Sequence, residues 1–254
     1  MERFALISQV SETDFSRERQ LKLAKVLSFQ GVEHLYPHHG KSGTMEVFSY
    51  VPAGYIPVYV QYDIQSENSQ DAYHWVDENK KPFARVKFNK DFDELSRITS
   101  HEFLETIINP DITNFGQTSD FVMLNRSGAE YFEICDVCQS KEYSYKIDGV
   151  VVSNFVFPSY YNVNLGKTNV LQNLKYDFCG YVQAPGEILE GGYKSWKVSD
   201  TEYIQAFRTK GVLTYKFLTG DKVVDVSATQ TGSSVIIPSL AGLLVLLLFW
   251  IFKK

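Results

Sequence analysis

The chain reads as an α+β protein built on a twisted mixed sheet, with a helix that carries chemically reactive side chains and a C-terminal helix able to cross a membrane. Three observations lead there. Residues 45–157 break into short runs rich in β-branched and aromatic residues. Ile98, Leu104 and Ile108 repeat at helical spacing. Val235–Phe252 carries no charge at all.

Taken in order, Ser16–Gln30 predicts an amphipathic helix with Leu23, Val26 and Leu27 on one face and Gly31 as its stop. Strand-like runs follow at Met45–Val51, Ile56–Tyr62 and Phe83–Phe88. The next helix continues the stripe from Ile98, with Thr99 or Ser100 as its cap and Asn109-Pro110 as its end. Beyond it lie strand-like runs at Phe121–Leu124, Tyr131–Ile134, Tyr143–Ile147 and Val150–Phe157. Residues 1–224 form one domain on this reading, 225–234 a polar tether and 235–252 the membrane segment. A chain with 44% hydrophobic and 15% aromatic residues has ample material for a core. The formal net charge of −5, with no long basic cluster, excludes a general nucleic-acid binder.

The densest chemistry sits in Ser100-His101-Glu102-Phe103-Leu104-Glu105. On a helix His101 and Glu105 share a face, so together they can hold one metal ion while Glu102 leans toward a water bound to it. The best-known zinc helix has His at both ligand positions, and Glu105 departs from that. A third ligand is available downstream in Glu130–Cys138, where a strand would deliver Glu133 or Asp136; Asp136 is the preferred one. Glu102 is then the general base, and His74 or Tyr73 the donor to a tetrahedral oxyanion. Tyr73 also suits a core position, and His74 a structural or ligand role. Cys135 and Cys138 have the spacing of a zinc knuckle or redox pair, but no second pair accompanies them. His34, His38 and His39 fall in a loop near Pro37 and Gly40, where adjacent imidazoles cannot readily share one zinc.

These residues also carry a resemblance. The Ser-His-Glu-x-x-Glu run, the Asn109-Pro110 that follows it and Glu133-Ile134-Cys135-Asp136 resemble a family of zincin-type metallopeptidase-like proteins of bacteria and phages. The similarity extends to Tyr73-His74, Pro82-Phe83, Gly149–Pro158 and Gly191-Gly192-Tyr193. It implies a zincin-like fold, a Zn2+ ion on His101, Glu105 and Asp136, and a peptide or protein substrate. The family usually has Asp where this chain has Asn109, which removes a negative charge but leaves a hydrogen-bond acceptor. A non-catalytic membrane-tethered structural or virion component that retains the scaffold is the second expectation.

As a helix Val235–Phe252 spans about 27 Å, enough for a bilayer core, with Trp250 near one interface. Pro238 falls in the first turn, where a missing donor costs little. The N-terminal residues do not read as a secretory signal, so a tail anchor with the domain in the cytoplasm is expected. Lys253 and Lys254 argue weakly for the opposite orientation.

Overall fold

The computed structural model describes residues 1–64, 70–121, 126–161, 175–219 and 222–227. The first half is built on β1 (Glu2–Ser8), whose Phe4-Ala5-Leu6-Ile7 is buried throughout, as a central strand of a largely parallel sheet requires. It lies parallel between β2 (Gly43–Phe48) and β3 (Ile56–Gln61). Beyond β3 comes β5 (Pro82–Lys87), also parallel, and β4 (Ala72–Val76) closes the edge antiparallel to β5.

A parallel pair needs a crossover, and α1 (Arg17–Phe29) supplies the one between β1 and β2. Ser16 caps it by accepting from the Arg19 amide. The chain does not stop at Gly31. It runs on through a π-helical turn (Gln30–Leu35) into α2 (Tyr36–His39) and ends at Gly40. Gly31 instead permits a close approach, because a Cβ there would meet the Gly43 carbonyl oxygen at 2.5 Å.

The long helix α3 (Phe92–Ile108) begins two turns before the expected caps. Asp91 is the cap, accepting from the Asp93 amide at 3.0 Å, and Asp93 and Glu94 complement the helix dipole. Thr99 and Ser100 sit inside the helix because their hydroxyls have other partners. Thr99 donates to the Leu95 carbonyl; Ser100 donates to Gln30 Oε1 at 2.8 Å and accepts from the Ser153 amide at 2.9 Å. At the far end Lys41 Nζ and Asn114 Nδ2 both donate to the Ile108 carbonyl. Phe103, Leu104 and Ile107 bury one face of α3 in the main core with Phe4, Leu6 and Val86, and Phe103 meets Phe4 edge-on at 4.8 Å between centroids.

In the second half β6 (Phe115–Phe121) and β7 (Arg126–Tyr131) form an antiparallel pair. The chain then passes through a 3-10 turn (Asp136–Cys138) and the small hairpin β8 (Tyr145–Ile147) and β9 (Val150–Val152). A meander follows, of β10 (Tyr193–Lys197), β11 (Glu202–Thr209), β12 (Val212–Thr219) and β13 (Lys222–Ser227). Pairing of β10 with β7 joins these into one antiparallel sheet in the order β13-β12-β11-β10-β7-β6. A satellite core of Ile188, Trp196, Ile204, Ala206 and Tyr215 packs there.

The expected zincin-like α+β layout on one twisted mixed sheet is therefore corrected. The described residues are mixed α/β with few helices and three sheets. Crossover connections make the first half mostly parallel, whereas short hairpins in the second half pair locally and form a sheet of their own. Among the described residues no helix is long and apolar enough to cross a membrane. The expected anchor Val235–Phe252 lies outside the described residues, and β13 takes in the first residues of the expected tether.

A buried polar bridge fixes α3. Gln30 Nε2 donates to the Ser153 carbonyl at 2.9 Å and to Tyr145 Oη at 3.1 Å, while Ser96 Oγ donates to the Val151 carbonyl at 2.7 Å. Backbone groups in and just after β9 thus find partners on α3 and the π-helical turn. Gln30→Ala leaves Ser100 and the Ser153 carbonyl unsatisfied beside a new cavity, so it should lower unfolding free energy by about 2–4 kcal/mol. Urea denaturation measures this; an unchanged midpoint would show that the bridge is not needed.

Candidate metal centre

Helix α3 turns one face to the core and the other to a cavity of about 360 Å3. Its i, i+1 and i+4 positions bring His101, Glu102 and Glu105 to that cavity, all three buried. Strand β4 adds His74, which pairs across the ladder with Ala84 and so points to the same side of the sheet as the core residues. The segment after β7 adds Glu133 and Asp136, and β10 adds Tyr193.

His101 Nε2 lies 3.0 Å from Glu105 Oε2 and 3.1 Å from Asp136 Oδ1. One ring N–H cannot align with both oxygens, and Asp136 Oδ1 is left buried without a hydrogen-bond partner. On the other side of Glu105, His74 Nδ1 lies 3.3 Å from Glu102 Oε2 and 3.9 Å from Glu105 Oε2. His74 Nε2 faces Glu133 Oε2 at 3.6 Å, and both of these atoms are also buried and unpartnered. Glu105 is held by its other oxygen, which accepts from the Cys135 amide at 2.9 Å. Two groups of buried side chains here could hold a metal ion: His101, Glu105 and Cys135, and His74, Glu102 and Glu105.

The electrostatics follow from four carboxylates around two imidazoles. Burial opposes a charge on His74, but Glu133 first, then Glu102 and Glu105, outweigh it and push its pKa up to about 10. Burial likewise opposes charging of His101, and Glu105 and Asp136 overcome it. Burial and then the neighbouring carboxylates raise Glu133 and Asp136. Burial works against ionised Glu105 too, yet His101, His74 and the Cys135 amide hold it below the ordinary carboxylate value.

The same cavity is bordered by His74, His101, Glu102, Glu105, Glu133 and Asp136, and by Tyr73 as well, although the group around His101 that could hold a metal contains Cys135 and not the expected Asp136. Tyr73 Oη donates to the Ile64 carbonyl at 3.4 Å, whereas both ring nitrogens of His74 face carboxylates. Glu133 and Asp136 both reach the centre, because β7 ends at Tyr131 and strand alternation no longer chooses between them. Cys135 and Cys138 are free, buried thiols, and burial raises both well above the ordinary thiol value, the opposite of a reactive redox pair. His34 stacks on Phe178, His38 stacks on Phe157, and His39 Nε2 hydrogen bonds to the Val156 carbonyl, so this trio is structural. Asn109 does accept, from the Asn114 amide at 2.9 Å, and also donates through Nδ2 to Glu133 Oε1 at 3.2 Å. An aspartate there would set a fifth carboxylate against Glu133.

Tyr193, to which the sequence reading gave no chemical role, is hydrogen-bonded to the Asp136 carboxylate through its hydroxyl. Its approach depends on Gly192, where a Cβ would meet the Val137 carbonyl oxygen at 2.4 Å. The only sequence signal for this contact is the Gly191-Gly192-Tyr193 run itself.

The raised His74 value has a sign that can be tested on metal-free protein. A group whose folded pKa exceeds its unfolded one contributes stability that is complete below about 6.5 and lost as pH rises through about 10. The raised carboxyls Glu133 and Asp136 act in the same direction at lower pH. With His101 acting in the same direction as His74, metal-free protein should therefore lose at least about 2–3 kcal/mol of stability between pH 7 and pH 9. Chemical denaturation with chelator present checks this, and stability that is flat or rising over that interval would contradict the charge arrangement. Compared with protein-family models, curated proteins and solved structures, the chain matches none.

Proposed function

We propose that the chain is a zinc-dependent hydrolase of peptide bonds, with the ion held by His101 Nε2, Glu105 and Asp136. The observation that carries this reading is the unpartnered Asp136 Oδ1, buried 3.1 Å from His101 Nε2 on the wall of an open cavity. An imidazole and two carboxylates suit zinc, and three protein ligands leave a coordination position free. Asp136 is preferred to Cys135 because it borders the cavity, while Cys135 serves Glu105 through its backbone amide. Tyr193 and that amide act as outer partners that orient the two carboxylate ligands.

Zinc bound there would polarise a water and the scissile carbonyl. Glu102, one residue beyond His101 and bordering the cavity, would serve as the general base, its carboxylate taking a proton from the attacking water and returning it to the leaving amine. His74, kept protonated by Glu133, Glu102 and Glu105, donates to the tetrahedral oxyanion. A peptide fits the surroundings. The edge strand β4 borders the cavity and can pair with an extended chain, while Tyr131, Tyr203 and the half-exposed Trp75 offer apolar wall for its side chains.

The purified full chain should carry about one tightly held zinc, and His101→Ala should lose it while keeping its fold by circular dichroism. A folded parent that takes up no zinc would sink the proposal. Glu102→Gln should retain that zinc yet cleave a peptide library at least about 100-fold more slowly than the parent. Turnover at the parent rate would remove Glu102 from the role of base. Zinc uptake without cleavage by the parent would favour a scaffold over an enzyme.

A further inference from the structure

Two imidazoles and four carboxylates crowd one cavity, more than a single zinc needs. We propose that His74 Nδ1, Glu102 and Glu105 form a second divalent-cation site that shares Glu105 with the first, so that the centre takes up two zinc ions when zinc is in excess. The inference rests on the assignment of the first zinc to His101, Glu105 and Asp136.

Geometry supports it first. Ligand atoms about 2.0–2.1 Å from a tetrahedral zinc lie about 3.3 Å from one another. His74 Nδ1 is 3.3 Å from Glu102 Oε2 and 3.9 Å from Glu105 Oε2, so little movement admits an ion among them. Glu105 Oε2 also stands 3.0 Å from His101 Nε2, between the two imidazoles, where its carboxylate can bridge.

The other face of the His74 ring gives independent support. Its Nε2 is buried and unpartnered, and the Glu133 Oε2 opposite is unpartnered too, 3.6 Å away. A metal on Nδ1 fixes the proton on Nε2, and a small adjustment brings that N–H onto Glu133, the carboxylate–histidine arrangement that orients metal-bound imidazoles. Asn109 Nδ2 holds the other oxygen of Glu133.

Charge supports it last. Glu102, Glu105, Glu133 and Asp136 border the cavity and no lysine or arginine among the described residues does. One divalent ion meets the charge of two carboxylates, and a second meets that of the other two once all four are ionised. A cation on Glu102 and His74 withdraws the proposed base and the proposed oxyanion donor together, so its binding opposes hydrolysis.

Calorimetric titration of metal-free full chain with Zn2+, with metal analysis after gel filtration, tests this. Two ions per chain are expected. His74→Ala should bind one, and Glu133→Gln should weaken the second event about 10–100-fold while leaving the first. Glu102→Gln, close in shape to the parent side chain, should also lose or weaken only the second, which keeps the test open if His74→Ala fails to fold. One ion in the parent overturns the second site and leaves the hydrolase reading standing. No uptake overturns both, and two ions in the folded His74 and Glu102 variants would place the second cation elsewhere.

Discussion

Four carboxylates and two imidazoles brought out of water into one cavity are the constraint on which the structure turns. Like charges at this separation repel strongly once water is removed, and burial alone would neutralise them. Without metal the arrangement is relieved by the raised carboxyls of Glu133 and Asp136 and by protonated imidazoles that stand between acidic groups: His101 between Glu105 and Asp136, His74 between Glu133 and the pair Glu102 and Glu105. A divalent cation bound there would replace those protons and supply more charge to the same oxygens. On the proposed reading, metal affinity and charge repulsion are two aspects of one design.

The fold holds this centre from two directions. The largely parallel sheet fixes α3 through Phe4, Phe103 and the neighbouring core, and presents His74 from its edge strand. The antiparallel sheet carries Tyr193 on β10, with Gly192 allowing the backbone to press against Val137 beside Asp136. Between them the Gln30–Ser100–Ser153 bridge keeps α3 from sliding along its axis. The π-helical turn at Gln30–Leu35 is part of this bridge, since it places Gln30 and Gly31 against α3 and β2.

Local spacing made the helical part of the site legible: His101, Glu102 and Glu105 follow from helical periodicity, and the structure presents them together. Asn109 as the end of α3 was legible too. The start of α3 was not, because Thr99 and Ser100 resemble caps until their tertiary partners are known. Strand alternation failed at Glu133 and Asp136 since β7 ends before either residue. His74 was legible as a reactive residue, but its place depends on an antiparallel edge pairing that no short window reveals. The contact of Tyr193 with Asp136 is between residues far apart in the sequence, which explains why its role was missed. The strand β1 escaped notice because a brief, fully buried run has no alternation to read.

The central claim is that His101, Glu105 and Asp136 enclose a metal ion. Anomalous X-ray scattering at the zinc absorption edge, from crystals grown with zinc, tests it most directly. The account predicts a peak about 2.0–2.2 Å from His101 Nε2 and from one oxygen each of Glu105 and Asp136. Side chains that remain paired with one another in zinc-soaked crystals, with no anomalous peak among them, would contradict it.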